Sequence, residues 1–299
     1  MKLSFRFAVS LCAAALAAAA HAADPPPAPP LALADAGFAL KPPQRQAVGY
    51  RGMADFDRAS AGTGQMMYPA PGLAGFLVAI ATHGVLVESS KNAEKTRLQA
   101  AADKVLDPYR EALAGFADAE LMQRALAKLG TKGATRLLDP AQPDTGWVLE
   151  SVPVFTMTQD QRALILDNAV AVYRGDAPTA IRYQNVVRVV SNPRSEDDPG
   201  PAWAAEQSRL LKEQSVALYA HSLKLLFQEL AASSTTEAAM HKTFRFAEGK
   251  AERMERAQLI GETCGRAVIK TLRGWLMSVP LRRPADAAQA DDCKHPDLP

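Results

Sequence analysis

Beyond residue 22 the chain holds four histidines, His83, His221, His241 and His295, and two cysteines, Cys264 and Cys293. Zinc sites and nucleophile–base pairs draw on these residue types. No His or Cys stands at zinc-ligand spacing from another, because Cys293-Lys294-His295 is too tight for a standard motif. The G-x-S-x-G elbow, H-E-x-x-H, C-x-x-C, the phosphate loop and the dinucleotide fingerprint are all missing from the sequence. No catalytic residue, metal ligand set or cofactor site is therefore assigned. Nucleophile and base need not be neighbours in sequence, so a Ser or carboxylate gathered with His221 or His241 in a deep polar pocket would mark an enzyme.

Three other features bear on binding. Arg266, Lys270 and Arg273 recur at i, i+4 and i+7. On a helix they form a basic stripe for an anionic head group, a cell-wall polymer or an acidic partner, or else a solvated face paired with carboxylates such as Glu262. Glu196, Asp197 and Asp198 lack the spacing of a calcium loop and read as a solvated turn. The third feature is the uncharged run from Ala59 to Val87. Within it, 72–87 reads as an apolar helix that begins after Pro69 and Pro71. Its sixteen residues fall short of the roughly twenty needed to span a bilayer. Either it is a core helix that buries Phe76, Leu77 and Ile80, or it meets a membrane surface or a partner. In either case its small-residue row at Gly75 and Ala79, continued by His83, lets another backbone come close. Gly72, Gly75, Phe76, Ala79, Ile80 and His83 are thus candidate interaction residues.

The elements that carry these residues begin with an export signal. Lys2 and Arg6 precede the apolar stretch Phe7–Ala20, and Ala20-His21-Ala22 supplies a cleavage pattern. Residues 1–22 are expected to be a signal peptide, which places the protein in the periplasm. The chain has 34 basic and 32 acidic residues, and Lys2 and Arg6 are lost with the signal, so the remainder is neutral. That balance gives no reason to expect nucleic acid as a partner. In an oxidising compartment, Cys264 and Cys293 are expected to form a disulfide that staples a polar tail, 281–299, to the body. The alternative is a Cys264 buried on the apolar face of a helix and a loose Cys293.

Residues 23–65 read as a Pro/Gly-rich linker, with a short strand near Val48–Tyr50. The body, 66–280, reads as a single α+β domain, an antiparallel sheet packed against several helices. Ser89 or Ser90 opens a charged helix, Asp107-Pro108 breaks and restarts it, and a further helix runs from Asp118 to Gly130. Trp147–Thr158, Arg162–Tyr173 and Ala180–Ser191 alternate as a three-stranded meander, with Pro153 marking an edge or bulge. A long helix follows to Ala231. A C-terminal hairpin over Lys242–Ala247 and Ala251–Leu259 then leads into a helix over Gly261–Met277 that carries the basic stripe.

The segments GLAGFLVAIATHG, DKVLDPYREAL, ILDNAVAVY, IRYQNVVRVVS and TLRGWLMSVP, in this order, resemble a group of uncharacterised proteobacterial exported and envelope proteins over residues 66–280. That resemblance implies location and fold, and brings no catalytic residue with it. The expected function is a non-enzymatic envelope accessory or assembly factor that binds a protein or lipid partner, with peripheral membrane contact through 72–87. A hydrolase-like envelope enzyme and a carrier of an apolar ligand are the alternatives.

Overall fold

A computed structural model describes residues 37–55 except 46, 89–130, 135–139, 141, 144–232, and 240–281 except 264. The strands are β1 (Phe38–Lys41), β2 (Gly49–Gly52), β3 (Thr135–Leu137), β4 (Trp147–Met157), β5 (Leu164–Arg174), β6 (Tyr183–Val190), β7 (Lys242–Glu248), β8 (Ala251–Thr263), β9 (Arg266–Thr271) and β10 (Leu276–Pro280). The helices are α1 (Ser89–Ala102), α2 (Arg110–Ala114), α3 (Asp118–Leu129) and α4 (Gly200–Ala231), with a 3-10 segment at Asp103–Tyr109 between α1 and α2.

The meander forms where alternation placed it, as β4, β5 and β6 paired antiparallel. One set of alternating side chains, including Leu149, Phe155, Leu166, Val170, Val187 and Val189, shares a core with Leu121 and Met122 of α3 and Tyr219, Leu223 and Leu226 of α4. Charged residues on the outer side of α3 and an apolar stripe inside give that helix one face to bury. Gly130 ends it in the left-handed conformation at φ 61°. The other set of strand side chains faces away from these helices. There Ile165, Val190, Phe244, Phe246, Ile269, Met277 and Val279 form a second core inside the curl of β7–β10. Asp160, in the β4–β5 turn, accepts Lys250 N at 2.6 Å and so ties the β7–β8 turn to the meander.

The α+β class holds, but the sheet is mixed. Its order is β3–β1–β4–β5–β6–β10–β9–β8–β7, with β2 also on β4. β1 and β2 lie parallel to β4, and β10 lies parallel to β6. Short connections correctly imply antiparallel neighbours, whereas parallel partners are distant in sequence and leave no such local signal. The stretch expected to be a linker, 23–65, therefore contributes two strands to the sheet.

Three further expectations are corrected. Pro153 lies on an internal strand, not an edge. Its carbonyl accepts Arg45 Nη2 at 2.6 Å, on the side where β1 has ended and β2 has not begun. The missing N–H thus faces an interruption in the ladder, where it costs no strand hydrogen bond. The helix expected over Gly261–Met277 is instead the end of β8 with β9 and β10. Gly265 at φ 70° and Gly274 at φ 81° make its turns, and Val268, Ile269 and Thr271 favour strand over helix. Asp107-Pro108 does not restart a helix at Asp107; it lies within the 3-10 segment.

Candidate functional site

On the face away from α3 and α4, a cleft of about 300 Å³ opens between β2, the end of α1 and the curled strands β7–β8. Met53, Ile165, Phe246, Met254 and Met277 supply its apolar wall, while Arg51, Arg188, Arg253, Glu248 and Glu255 supply its charges. The β alternation dictates this mixture. Arg188 pairs across the sheet with Asp167, and Thr156 with Ile165, so all four project to the same side.

Beneath the cleft, the Asp167 carboxylate is 2% exposed and joins two guanidiniums. Arg188 donates to it from Nε at 2.6 Å and Nη2 at 2.8 Å, and Arg51 donates from Nη2 at 3.3 Å. Arg51 also reaches Thr156 Oγ1 at 2.9 Å. A bidentate pair of this kind fixes both planes. Arg188 and Arg273 each lie 5.8 Å from the ring of Trp275, which orients the guanidinium beside the β9–β10 turn. At the rim, Arg253 donates to Glu248 at 3.0 Å. The site carries both charge signs around flexible thioethers, an arrangement suited to adaptable contact.

A second polar cluster lies on the opposite, helix-bearing face. His221 of α4 places Nε2 at 3.0 Å from Ser278 Oγ of β10, and Arg266 Nε donates to the same oxygen at 3.2 Å. Burial, and then the charges of Arg266 and Lys224, pull the His221 imidazole down to about 4. Burial also lowers Arg266 to about 10, well above neutrality, so it stays cationic. The Ser–His separation is that of a nucleophile and its base. However, Ser278 is fully buried, and the arginine occupies its oxygen. Among the described residues, Ser278 is the one hydrogen-bond partner of the His221 imidazole. The pair does not open into the cleft, and His241 lies exposed ahead of β7.

The basic stripe does not form. Arg266 is 3% exposed and bonds to Val190 O at 2.6 Å, Asn192 Oδ1 at 2.9 Å and Ser278. Lys270 pairs with Glu229 of α4 at 2.8 Å, and Arg273 lies in the β9–β10 turn. The i, i+4, i+7 spacing lines up on a helix; here one residue staples strands, one binds a helix and one caps a ring. Gly72, Gly75, Phe76, Ala79, Ile80 and His83 lie outside the described residues, as do Cys264 and Cys293 of the expected disulfide and the expected signal peptide, 1–22.

Sequence reasoning passed over Arg51, Asp167 and Arg188. A signal was present for two of them: each is a lone charge inside an apolar strand, ILDNA and VVRVV. Such a charge is tolerated only when it is paired.

Among the described residues, no group of three or more His, Cys, Asp or Glu is placed to hold a metal ion, and no helix is long and apolar enough to cross a membrane. Comparison with protein-family models, curated proteins and solved structures finds no match for this chain.

Proposed function

We propose that this protein is a non-enzymatic envelope accessory factor, and that the cleft over Asp167 binds an apolar segment of a protein partner. The observation that carries this reading is the methionine-lined wall, with Met254 62% exposed, beside a rim of paired charges. Thioether side chains repack around varied shapes, as adaptable docking surfaces require. The rim favours polypeptide over lipid. A phosphate head group drawn to Arg253 would meet Glu248 and Glu255 at the same mouth, whereas a peptide brings donors and acceptors for both signs. The volume, about 300 Å³, is at the lower end for ligand sites and suits a few side chains. The envelope location rests on the expected signal peptide.

A photo-crosslinking residue at position 254, compared with one at Glu213 on the outer face of α4, tests the proposal in intact cells. A discrete protein adduct at 254, lost when the partly exposed cleft residue Met53 is changed by Met53→Asp, is the expected result. Equal adducts at both positions, or flotation of the purified protein with anionic vesicles that Met254→Glu abolishes, would replace it with a non-specific or a lipid-binding reading.

A further inference from the structure

The two halves of the sheet meet at one short parallel seam, where β10 pairs with β6 over Leu276–Ser278 and Val187–Val189. Arg266 staples this seam, bonding at once to the end of β6 through Val190 O, to Asn192, and to Ser278 on β10. α4 adds a second fastening through His221 and Ser278. A guanidinium N–H can only donate, so Ser278 Oγ accepts from Arg266 and can pass its own proton to His221 Nε2. The arrangement is satisfied only while His221 is neutral. The groups acting on the imidazole from the packed elements are Arg266 on β9, Ser278 on β10 and Lys224 on α4 itself, and both charges are cationic. Glu229, two turns further along α4, is held by Lys270 of β9.

We propose that His221 is an acid-released latch: its protonation detaches β9 and β10 from α4 and loosens the β6–β10 seam, while the β4–β5–β6 meander stays closed. An imidazolium at this point would face Arg266 across one shared hydroxyl and leave the Ser278 proton without an acceptor. The seam has few backbone bonds to resist this. Opening lets the imidazole return to its ordinary affinity for protons, so falling pH drives the opening.

Hydrogen-exchange protection of amides in β10 and β9, corrected for intrinsic rates, tests this on the full chain between about pH 7 and about pH 4.5. Protection at the seam is expected to fall by roughly tenfold to a hundredfold relative to β4–β5. In His221→Gln the seam should keep its neutral-pH protection. Equal losses at the seam and in β4–β5, or a His221→Gln seam as acid-sensitive as the parent, would overturn the proposal. Should that variant not fold, the parent's own imidazole resonance decides. A midpoint below about 5 supports the latch, and one at or above about 6 contradicts it.

Discussion

Asp167 on β5 holds Arg188 on β6 through two parallel hydrogen bonds of 2.6 and 2.8 Å, at a depth where the carboxylate is 2% exposed. The same carboxylate reaches Arg51 on β2, so one side chain links the meander to the strand that carries one wall of the cleft. Charges placed this deep cost several kcal/mol to desolvate and stay only because they are matched. Asp167→Asn would remove the carboxylate that both guanidiniums share. It should cost about 3–5 kcal/mol in urea unfolding, and a loss below about 1 kcal/mol would show that the cluster is not a structural unit.

A second buried network ties α4 to the sheet. Tyr219 donates to Ser151 at 2.9 Å, Ser151 to Asn168 at 2.7 Å, and Asn168 to Ser222 at 3.1 Å. Asn168→Ala leaves the buried Ser151 hydroxyl without its acceptor, while Ser222 keeps its bond to Tyr219 O at 2.7 Å, so unfolding should become easier by about 1–3 kcal/mol. The double variant with Ser151→Ala should cost less than the two single changes summed, because they share one interaction.

Alkaline titration gives a third expectation. Burial, the first cause in each case, pushes the phenols of Tyr50, Tyr183 and Tyr219 far above their ordinary value near 10. The folded state therefore prefers the neutral phenol. The stability these groups contribute is complete below the unfolded value near 10 and falls as pH rises beyond it. Tyrosinate absorbance should appear in two stages, the later one coinciding with loss of the fold. A single reversible step near 10 that includes every tyrosine would contradict the burial.

Within α4, Glu206, Gln207 and Ser208 hold φ of 52°, 55° and 58°, a left-handed turn without glycine. Each such residue costs about 1–2 kcal/mol relative to a right-handed one. Gln207→Gly should remove that cost and stabilise the protein by about 1 kcal/mol. In an uninterrupted helix the same change destabilises by a similar amount, so the sign of the melting shift decides.

What could be read from the sequence follows the range of the forces involved. The strands β4, β5 and β6, and the buried stripe of α3 through Leu121, Met122 and Ala125, are local patterns and formed as read. Val268 of β9 and Leu272 and Trp275 of the β9–β10 turn also fit a helical period, while Gly265 and Gly274, which turn the chain, carry the contrary signal. β1 and β10 find parallel partners far along the chain, and only tertiary pairing reveals them. The cleft depends on that curl. Arg51 and Arg188 converge on Asp167 across 116 and 21 positions, so no motif spacing joins them.

The measurement that bears most directly on the proposed function is a hydrogen-exchange footprint of the protein with and without envelope extract. Occupation of the cleft by a protein partner predicts added protection at 51–54, 246–255 and 277, reversed by Met254→Glu, with 206–213 on α4 unchanged. Protection confined to α4, or ester hydrolysis by the purified protein that Ser278→Ala abolishes, would contradict it.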